Sequence, residues 1–366
     1  MFLKLGTIAF GGPAAHIAMM EEEVVRRRGW MSREAFLDYL GATNLIPGPN
    51  STELAIHIGH ARAGWPGLLV AGLCFIVPAT LIVGIIAAAY VKYGALPAVT
   101  GILYGVKPVV IAIVVQALWN LGRTALKTSG LIALAAACVA LTFLGVNELV
   151  VLFGAGLVVV LARKAGGRFA APGFGIAAVS GGAAGSTTVA LWPLFGIFLK
   201  IGAVLFGSGY VLIAFLRADL VTRLGWLTER QLLDAVAVGQ ITPGPVFTTA
   251  TFIGYVLAGT PGAAAATIGI FLPAFVFVAI SGPLVPKLRR SPTAGAALDG
   301  VNAASLALMA VVTWELGRGA LTSWLSWILA AASAIALFRF RVNSAWLMLA
   351  GAIFGVLAGA GILGHA

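Results

Sequence analysis

Two short motifs in the first part of the sequence have the residue types to bind an anion. One is Phe10-Gly11-Gly12-Pro13, and the other is Pro47-Gly48-Pro49 followed by Asn50, Ser51 and Thr52. Each motif ends one helix and begins another, because proline suits the first helical turn and Asn or Ser suits the cap before it. A helix N-terminus presents free N–H groups and about half a positive charge, so each motif predicts a site for an anion.

Both motifs return in the second part of the sequence. Their equivalents are Gly207-Ser208-Gly209 and Pro243-Gly244-Pro245, the latter followed by Thr248 and Thr249. Four helix starts are therefore available to one site, although the glycines could instead allow close helix packing and the prolines only kink the helices. Together with Lys107, the predicted substrate-binding residues are Gly11, Gly12, Pro13, Pro47, Gly48, Pro49, Asn50, Ser51, Thr52, Gly207, Ser208, Gly209, Pro243, Gly244, Pro245, Thr248 and Thr249.

Lys107 is a basic residue at the centre of an apolar run. An ionisable side chain at mid-bilayer costs about 3 kcal/mol on insertion scales, so it is a functional candidate by default. We expect its ammonium group to bind a divalent anion. The alternative is a buried ion pair with Glu53, Asp38 or Asp234. The equivalent residue in the second part is Asn302, so the repeat itself does not require this charge.

Three carboxylates are candidates for carrying a coupling proton: Glu53, Asp38 and Asp234. Glu53 lies in the first turn after Pro49, where it could act on a proton or simply be an acid stabilised by the helix dipole. Asp38 and Asp234 are equivalent in the two parts of the chain, and a cap or loop tether is the alternative role for both.

Several kinds of chemistry lack the residues that they need. The sequence has no phosphate-binding P-loop, no His-Glu-x-x-His motif and no Gly-x-Ser-x-Gly motif. We therefore predict no enzyme activity, no cofactor and no metal site. The competing class is a membrane enzyme that acts on a phosphorylated lipid through the same helix starts. The sequence lacks the nucleophile or metal cluster that such an enzyme would need. Uphill transport would have to use an ion gradient or the membrane potential.

The composition is that of an integral membrane protein. Hydrophobic residues make up 60% of the chain and charged residues 10%, with a mean hydropathy of +1.03; soluble domains carry about a quarter charged residues. Several apolar runs approach the roughly 20 residues that span a bilayer as helix. The net charge of +11 would suggest nucleic acid in a soluble protein. Here the basic residues lie in short loops between apolar runs, as the positive-inside rule describes.

An internal repeat divides the chain. The segment Phe2–Gly12 returns as Phe198–Ser208, and Trp119–Leu126 returns as Trp314–Leu321, at an offset of 195 or 196 residues. The Pro-Gly-Pro motifs follow the same offset. The predicted division into first repeat, Gly/Ala/Ser-rich linker and second repeat is 1–165, 166–190 and 191–366.

We predict an all-α integral membrane protein with two homologous halves in inverted topology. Each half has about five spanning helices plus a re-entrant helical hairpin with a Pro-Gly-Pro tip. In the first half one interrupted helix runs over 2–25, and short helices over 33–45 and 51–61 flank the tip. These short helices have 13 and 11 residues and cannot span the bilayer alone at 1.5 Å per residue. Five crossings, an odd number, would require the second half to be inverted.

The basic residues support this orientation. If the linker is cytoplasmic, fifteen of the 23 Lys and Arg residues face the cytoplasm, five face the other side and three lie within helices. That asymmetry predicts an inverted repeat with both termini outside. The count depends on segment 33–61 being re-entrant, because it changes if this segment crosses.

These motifs in combination resemble the chromate ion transporter family in its fused two-domain form, over almost the whole chain. The resemblance rests on Phe-Gly-Gly-Pro, on Gly29-Trp30 with Asp38 eight residues after Trp30, and on Pro-Gly-Pro, all repeated with one departure at Phe206-Gly207-Ser208-Gly209. It implies a multi-pass carrier of the prokaryotic inner membrane that exports chromate and confers chromate resistance, with sulfate as a structural mimic. The residues that carry the motifs are Gly11, Gly12, Pro13, Trp30, Asp38, Pro47, Gly48, Pro49, Gly207, Gly209, Trp226, Asp234, Pro243, Gly244 and Pro245.

The predicted function is therefore secondary active export of chromate, with the anion held at broken-helix N-termini between the two repeats. A carrier for sulfate or a small organic anion and an anion channel are the alternatives. The expected partners are an oxyanion (chromate or sulfate) and membrane lipid. Association with a second copy of the chain in a homodimer is left open. No nucleic acid is expected.

Overall fold

The computed structural model describes residues 1–10, 12–94, 96–165, 189–206, 209, 211–289 and 291–359. These residues form α-helices with short connections, and no strand occurs among them. The predicted substrate residues Gly11, Gly207 and Ser208 lie outside the described residues, as does most of the predicted linker. The α-helices are α1 Phe2–Ile8, α2 Gly12–Glu21, α3 Arg33–Thr43, α4 Asn50–Tyr93, α5 Pro97–Ala125, α6 Ser129–Phe143, α7 Glu148–Lys164, α8 Leu191–Val204, α9 Leu212–Leu216, α10 Glu229–Ile241, α11 Thr249–Arg289, α12 Pro292–Ala320, α13 Trp324–Arg339 and α14 Ser344–Gly359.

Four helical segments are long and apolar enough to cross a membrane: Asn50–Tyr93, Val99–Ala125, Val246–Ser281 and Pro292–Ala320. Large apolar side chains also cover the outside of the molecule. Ile85 on α4 is 71% exposed and Trp192 on α8 is 78% exposed, which is unfavourable in water and favourable in lipid. The expected all-α, multi-pass membrane protein is confirmed.

Helices α4 and α11 each contain a reversal at the same relative position. Ala63 and Gly64 leave the helical region in α4, and Ala258 and Gly259 do so in α11. Gly64 and Gly259 both have a φ of 61°, which favours glycine. The backbones of Gly59 and Gly67 are in contact across the first turn, although residues eight apart in a straight helix are separated by about 12 Å. Each long helix is therefore a short arm folded back on a longer one.

The two halves share their irregular features as well as their helix order. A π-helix follows α2 at Glu22–Arg27, and another follows α9 at Arg217–Arg223. A break separates α1 from α2, and another separates α8 from α9. The short helices α3 and α10 each precede a Pro-Gly-Pro motif. Matched deviations from ideal helix are stronger evidence of one repeated unit than helix count alone.

The helix expected over residues 2–25 is interrupted as predicted, but the expectation that it continues as one crossing after the break is wrong. Ala9 is extended at φ −80°, ψ 95° and ends α1, and α2 then folds back along it. The Lys4 ammonium lies 3.5 Å from the Glu23 carboxylate, although 19 residues of continuous helix would separate them by about 28 Å. The equivalent residues of the second half, Lys200 and Asp219, are also paired. The first of the five predicted crossings in each half is therefore a folded-back pair of short helices.

The halves are intertwined through their central helices. Helix α5 packs on α13 and α14, and α12 packs correspondingly on α6 and α7. Glycines permit this close approach: a Cβ on Gly101 would lie 2.8 Å from the carbonyl oxygen of Gly355. Helices α4 and α11 also pack against each other. The helix breaks of both halves are thereby brought to the middle of the molecule.

Candidate functional site

The Pro-Gly-Pro tip of each half is hydrogen-bonded to the helix break of the other half. The Gly48 amide donates to the carbonyl oxygen of Leu205 at 2.7 Å, and the Gly244 amide donates to the carbonyl oxygen of Ala9 at 3.0 Å. Ala9 and Leu205 are equivalent residues that end α1 and α8. A carbonyl released by a helix end needs a partner away from water, and each tip provides one. The breaks predicted from the sequence therefore meet.

Only glycine fits at the centre of these tips. Gly48 has a φ of 138° and Gly244 a φ of 87°. A Cβ on Gly244 would lie 2.6 Å from the Cβ of Ala79 and 3.0 Å from the carbonyl oxygen of Gly6. A Cβ on Gly48 would contact the carboxylate of Glu53. The prolines on either side restrict φ and donate no N–H, so the glycine supplies the amide that joins the halves.

A cavity of about 590 Å³ opens where the tips and breaks converge. Residues from both halves form its wall, which includes the starts of α2 and α4 and the segment leading into α11. Six of the predicted substrate-binding residues line it: Pro13, Pro49, Asn50, Ser51, Gly209 and Pro245.

The other described members of the predicted set lie beside this cavity rather than in its wall. Thr248 and Thr249 are buried, and their hydroxyl groups donate to the carbonyl oxygens of Pro245 and Val246, both at 2.8 Å. These bonds stabilise the turn that starts α11. The remaining residues outside the wall are Gly12, Pro47, Gly48, Thr52, Lys107, Pro243 and Gly244.

The polar groups of the wall are uncharged. Asn50 donates to Asn44 at 2.8 Å, and Gln116 donates to the carbonyl oxygen of Leu337 at 3.1 Å. Ser305 on α12 is 3% exposed, and its hydroxyl group has no hydrogen-bond partner among the described residues. A buried hydroxyl without a partner costs free energy unless something else satisfies it. Ser305 is one of the residues that line the cavity, although its hydroxyl oxygen is itself buried.

Lys107 does not line the cavity. Its ammonium group lies 2.7 Å from a carboxylate oxygen of Asp234, and Tyr90 donates to the other oxygen at 2.8 Å. Asp234 is buried on α10, whereas Lys107 lies on α5 of the first half. This is the ion pair that the sequence left open as the alternative to anion binding. Asp38, the equivalent of Asp234, is exposed on α3.

Glu53 is fully buried in the first turn of α4, and neither carboxylate oxygen has a hydrogen-bond partner among the described residues. It lies behind the cavity wall, against the Gly48 tip. A helix N-terminus stabilises a nearby carboxylate by about 1 kcal/mol, whereas burying an ionised carboxylate without a partner costs several times more. At Glu53 the free-energy cost of burying the charge therefore exceeds the stabilisation from the helix N-terminus.

His16 ties α2 to the start of α4. Its Nδ1 lies 3.3 Å from the Ser51 hydroxyl and its Nε2 lies 3.1 Å from the carbonyl oxygen of Ala9. A neutral ring that donates from Nε2 and accepts at Nδ1 satisfies both partners. Ala9 thus receives hydrogen bonds from His16 and from Gly244 of the other half.

Comparison with known proteins places the chain in a family. The family model described as chromate transporter matches residues 1–160 and 192–356, which is most of both halves. The chain belongs to the chromate transporter family.

Two proteins named chromate transport proteins align with the chain over most of its length. The chromate transport protein of Cupriavidus metallidurans is 32% identical, covering 98% of this chain and 91% of the relative. The chromate transport protein of Pseudomonas aeruginosa is 33% identical, covering 87% and 80%. An uncharacterized transporter of Bacillus subtilis aligns at 31% identity with 35% of this chain, which is 72% of its own length. No solved structure matches the chain.

Sequence reasoning missed the polar residues that this chromate transporter family member places opposite the tips. Gln116, Asn120 and Thr124 lie four residues apart on α5, so they share one helix face, and all three line the cavity. A stripe of polar residues on one face of an apolar helix is a pattern from which these wall residues could have been predicted. Asn302 and Ser305 on α12 also line the cavity. Their role depends on which face of α12 meets the first half, which no local pattern indicates.

Proposed function

We propose that the chain is a secondary active transporter that exports chromate, with the anion bound in the cavity between the two halves. The observation that carries this proposal is the shared cavity wall, where predicted helix starts of both halves meet. Two relatives that cover most of the chain are named chromate transport proteins. Substrate, direction and site are our proposal for this chain.

The chemistry of the wall suits a tetrahedral oxyanion. The start of α4 supplies the positive end of a helix dipole, and Asn and Gln side chains supply neutral donors. The Ser305 hydroxyl, which is buried and has no described partner, would donate to an anion oxygen after a rotation of its side chain towards the cavity. Within the described part of the chain no Lys or Arg lines the cavity, so binding would rest on dipoles rather than on a fixed cation. Weak, multiple donors allow an anion to leave as well as to enter.

The two halves lie in inverted topology in this proposal. Tyr104 near the start of α5 bonds to Ser323 at the start of α13, and Gln116 further along α5 bonds to Leu337 near the end of α13. Helices α5 and α13 therefore run in the same direction. Helix α12 runs opposite to α5, its equivalent, because Gly122 of α5 lies beside Leu306 of α12, whereas Ile111, earlier on α5, lies beside Gly317, later on α12. Inversion therefore does not depend on the odd number of crossings. That number no longer holds, because α1 and α2 fold back on each other.

The orientation follows from the basic residues. Arg26, Arg27 and Arg28 lie at the end of the folded-back α2 segment, on the side where Lys4 pairs with Glu23. Arg163 in the last turn of α7 pairs with Asp299 near the start of α12 at 3.0 Å. We place this basic side in the cytoplasm of a prokaryotic cell. The N-terminus then lies inside, in contrast to the expectation of two external termini, and α14 ends outside.

The membrane potential would supply the driving force for export. A potential of 100 mV, negative inside, is worth about 2.3 kcal/mol per charge and therefore roughly 4.6 kcal/mol for a dianion. Asp38, Asp234 and Glu53 remain the candidates for proton coupling. Asp234 is held by Lys107 and Tyr90, which leaves Glu53 as the buried carboxylate without a described partner.

Flux measurements in proteoliposomes test the proposal. We expect saturable uptake of radiolabelled chromate that follows an imposed potential and is inhibited by sulfate, with molybdate as a further tetrahedral competitor. Flux that rises linearly with concentration would indicate a channel. Faster sulfate or organic-anion flux with no chromate flux would assign another substrate. Absence of flux for every anion would reject the transporter itself.

A further inference from the structure

The first turn of α4 has two functional faces. Asn50 and Ser51 form part of the cavity wall, whereas Glu53 does not line the cavity and is fully buried against the Gly48 tip. The residues are at most three positions apart, about 5 Å along the helix axis. A charge in the cavity and a charge on Glu53 would therefore act on each other through a thin layer of protein.

Charge compensation for Glu53 is absent among the described residues. Lys107 is paired with Asp234, and Lys200 is paired with Asp219. At the Gly48 tip, beside Glu53, the second half contributes the carbonyl oxygen of Leu205 and the Cβ of Ala274, neither of which carries a charge.

The other titratable groups near Glu53 lie on α2, α3 and α4. His16 bonds to Ser51 and Ala9. His57, one turn further along α4, stacks on Tyr39 and lies 3.5 Å from the Ser281 hydroxyl. Asp38 is exposed on α3. None of these groups forms a hydrogen bond with the Glu53 carboxylate.

We propose that Glu53 is a proton-binding site linked to anion occupancy of the cavity, so that one proton moves with each anion. The inference rests on the proposed function. An ionised carboxylate in this apolar position is unfavourable, and a dianion in the adjacent cavity adds like-charge repulsion that a bound proton removes. The linkage between the two binding events is reciprocal. A proton on Glu53 therefore strengthens anion binding by the same factor as a bound anion strengthens proton binding.

The proton count follows from the asymmetry of the two halves. The second Pro-Gly-Pro motif is followed by Thr248 and Thr249, which do not titrate and whose hydroxyl groups bond within their own turn. Only the first half carries a carboxyl group at this place. The proton binds to the Glu53 carboxylate from one side of the membrane with the anion and is released from it on the other side, and the bonds within the anion do not change. The charge moved per dianion falls from two to one.

The test compares wild-type protein with Glu53→Gln, a substitution that resembles the protonated side chain. Proteoliposomes carry a pH-sensitive dye and receive a chromate gradient in alkaline buffer, where chromate is a dianion. We expect wild type to move one proton per chromate. Glu53→Gln should retain chromate flux while its proton movement falls to the level of protein-free liposomes. The matched control is Glu34→Gln, at an exposed carboxylate of α3, which should keep the wild-type ratio.

The outcomes separate this inference from the proposed function. Chromate flux without proton movement in wild type, or an unchanged ratio in Glu53→Gln, would overturn the Glu53 assignment and leave the transporter intact. No chromate flux in wild type would remove both. If Glu53→Gln does not fold, proton uptake on chromate binding by detergent-purified wild type decides the question, and its absence overturns the inference. Where the variant folds, the affinity of wild type for chromate should decrease as the pH rises above the value at which the empty site releases its proton. This decrease should be steeper than that of Glu53→Gln by about tenfold per pH unit.

Discussion

The Gly48 amide donates a 2.7 Å hydrogen bond to the carbonyl oxygen of Leu205, from the tip of one half to the broken helix of the other. The reciprocal bond joins Gly244 to Ala9 at 3.0 Å. Each half therefore closes the backbone that the other leaves open. Because these bonds form part of the interface around the cavity, movement of one half against the other would change the shape of the site.

Replacing Gly244 with alanine should destabilise the protein and reduce transport. The new Cβ meets Ala79 and the Gly6 carbonyl oxygen, and the residue has a positive φ. We expect a loss of about 1–3 kcal/mol, measured by thermal unfolding, together with a loss of chromate flux. Gly145→Ala is the control, since Gly145 has a similar φ of 80° with no neighbour within 4 Å. Equal losses in both variants would mean that backbone strain, not contact between the halves, determines the effect.

Removing the Lys107 ammonium group should cost stability. Lys107→Gln leaves Asp234 buried without its cation, and such a change costs about 3–5 kcal/mol. The double variant Lys107→Gln/Asp234→Asn should recover much of that loss. Arg163→Gln, which breaks an exposed ion pair with Asp299, should cost about 1 kcal/mol or less. If Lys107→Gln instead raises the KM for chromate at unchanged stability, and the double variant recovers nothing, Lys107 is an anion ligand.

Removing the Ser305 hydroxyl group should weaken chromate binding without weakening the fold. The hydroxyl has no described partner in the structure, so Ser305→Ala loses no internal hydrogen bond. A hydrogen bond to a charged ligand is worth about 1.5–3 kcal/mol, so we expect KM to rise about tenfold or more. Thr313→Val on the same helix removes a hydroxyl bonded to Met309 and should affect stability rather than KM. An unchanged KM in Ser305→Ala would place the anion elsewhere.

Cysteine labelling should establish the orientation of both halves. In a background without Cys74 and Cys138, single cysteines at Lys92, Lys127 and Lys4 are tested on intact cells with an impermeant reagent. We expect labelling from outside at position 92 only. The start of α1 and the α5–α6 loop should be reached only after the cells are opened. External labelling at position 4 but not at 127 would restore the spanning helix over 2–25.

Local sequence patterns predict where the backbone breaks and that the breaks occur twice. Proline and glycine act on their own neighbours, so the Pro-Gly-Pro motifs and the start of α4 at Asn50 could be predicted from local chemistry. Composition likewise indicated the membrane, because a chain with 10% charged residues cannot cover a soluble surface. The repeat further indicates that the two halves have nearly the same local structure.

The partners of these local features follow only from the packing of distant segments against each other. Lys107 and Asp234 are 127 positions apart in the sequence, and only the packing of α10 on α5 makes them a pair instead of an anion site and a proton site. The fold-back at Ala9 brings Lys4 to Glu23, and the position of Ser305 in the wall depends on which face of α12 is turned inward. Contacts between distant segments depend on the sum of all packing in the molecule, and local sequence carries only part of that information.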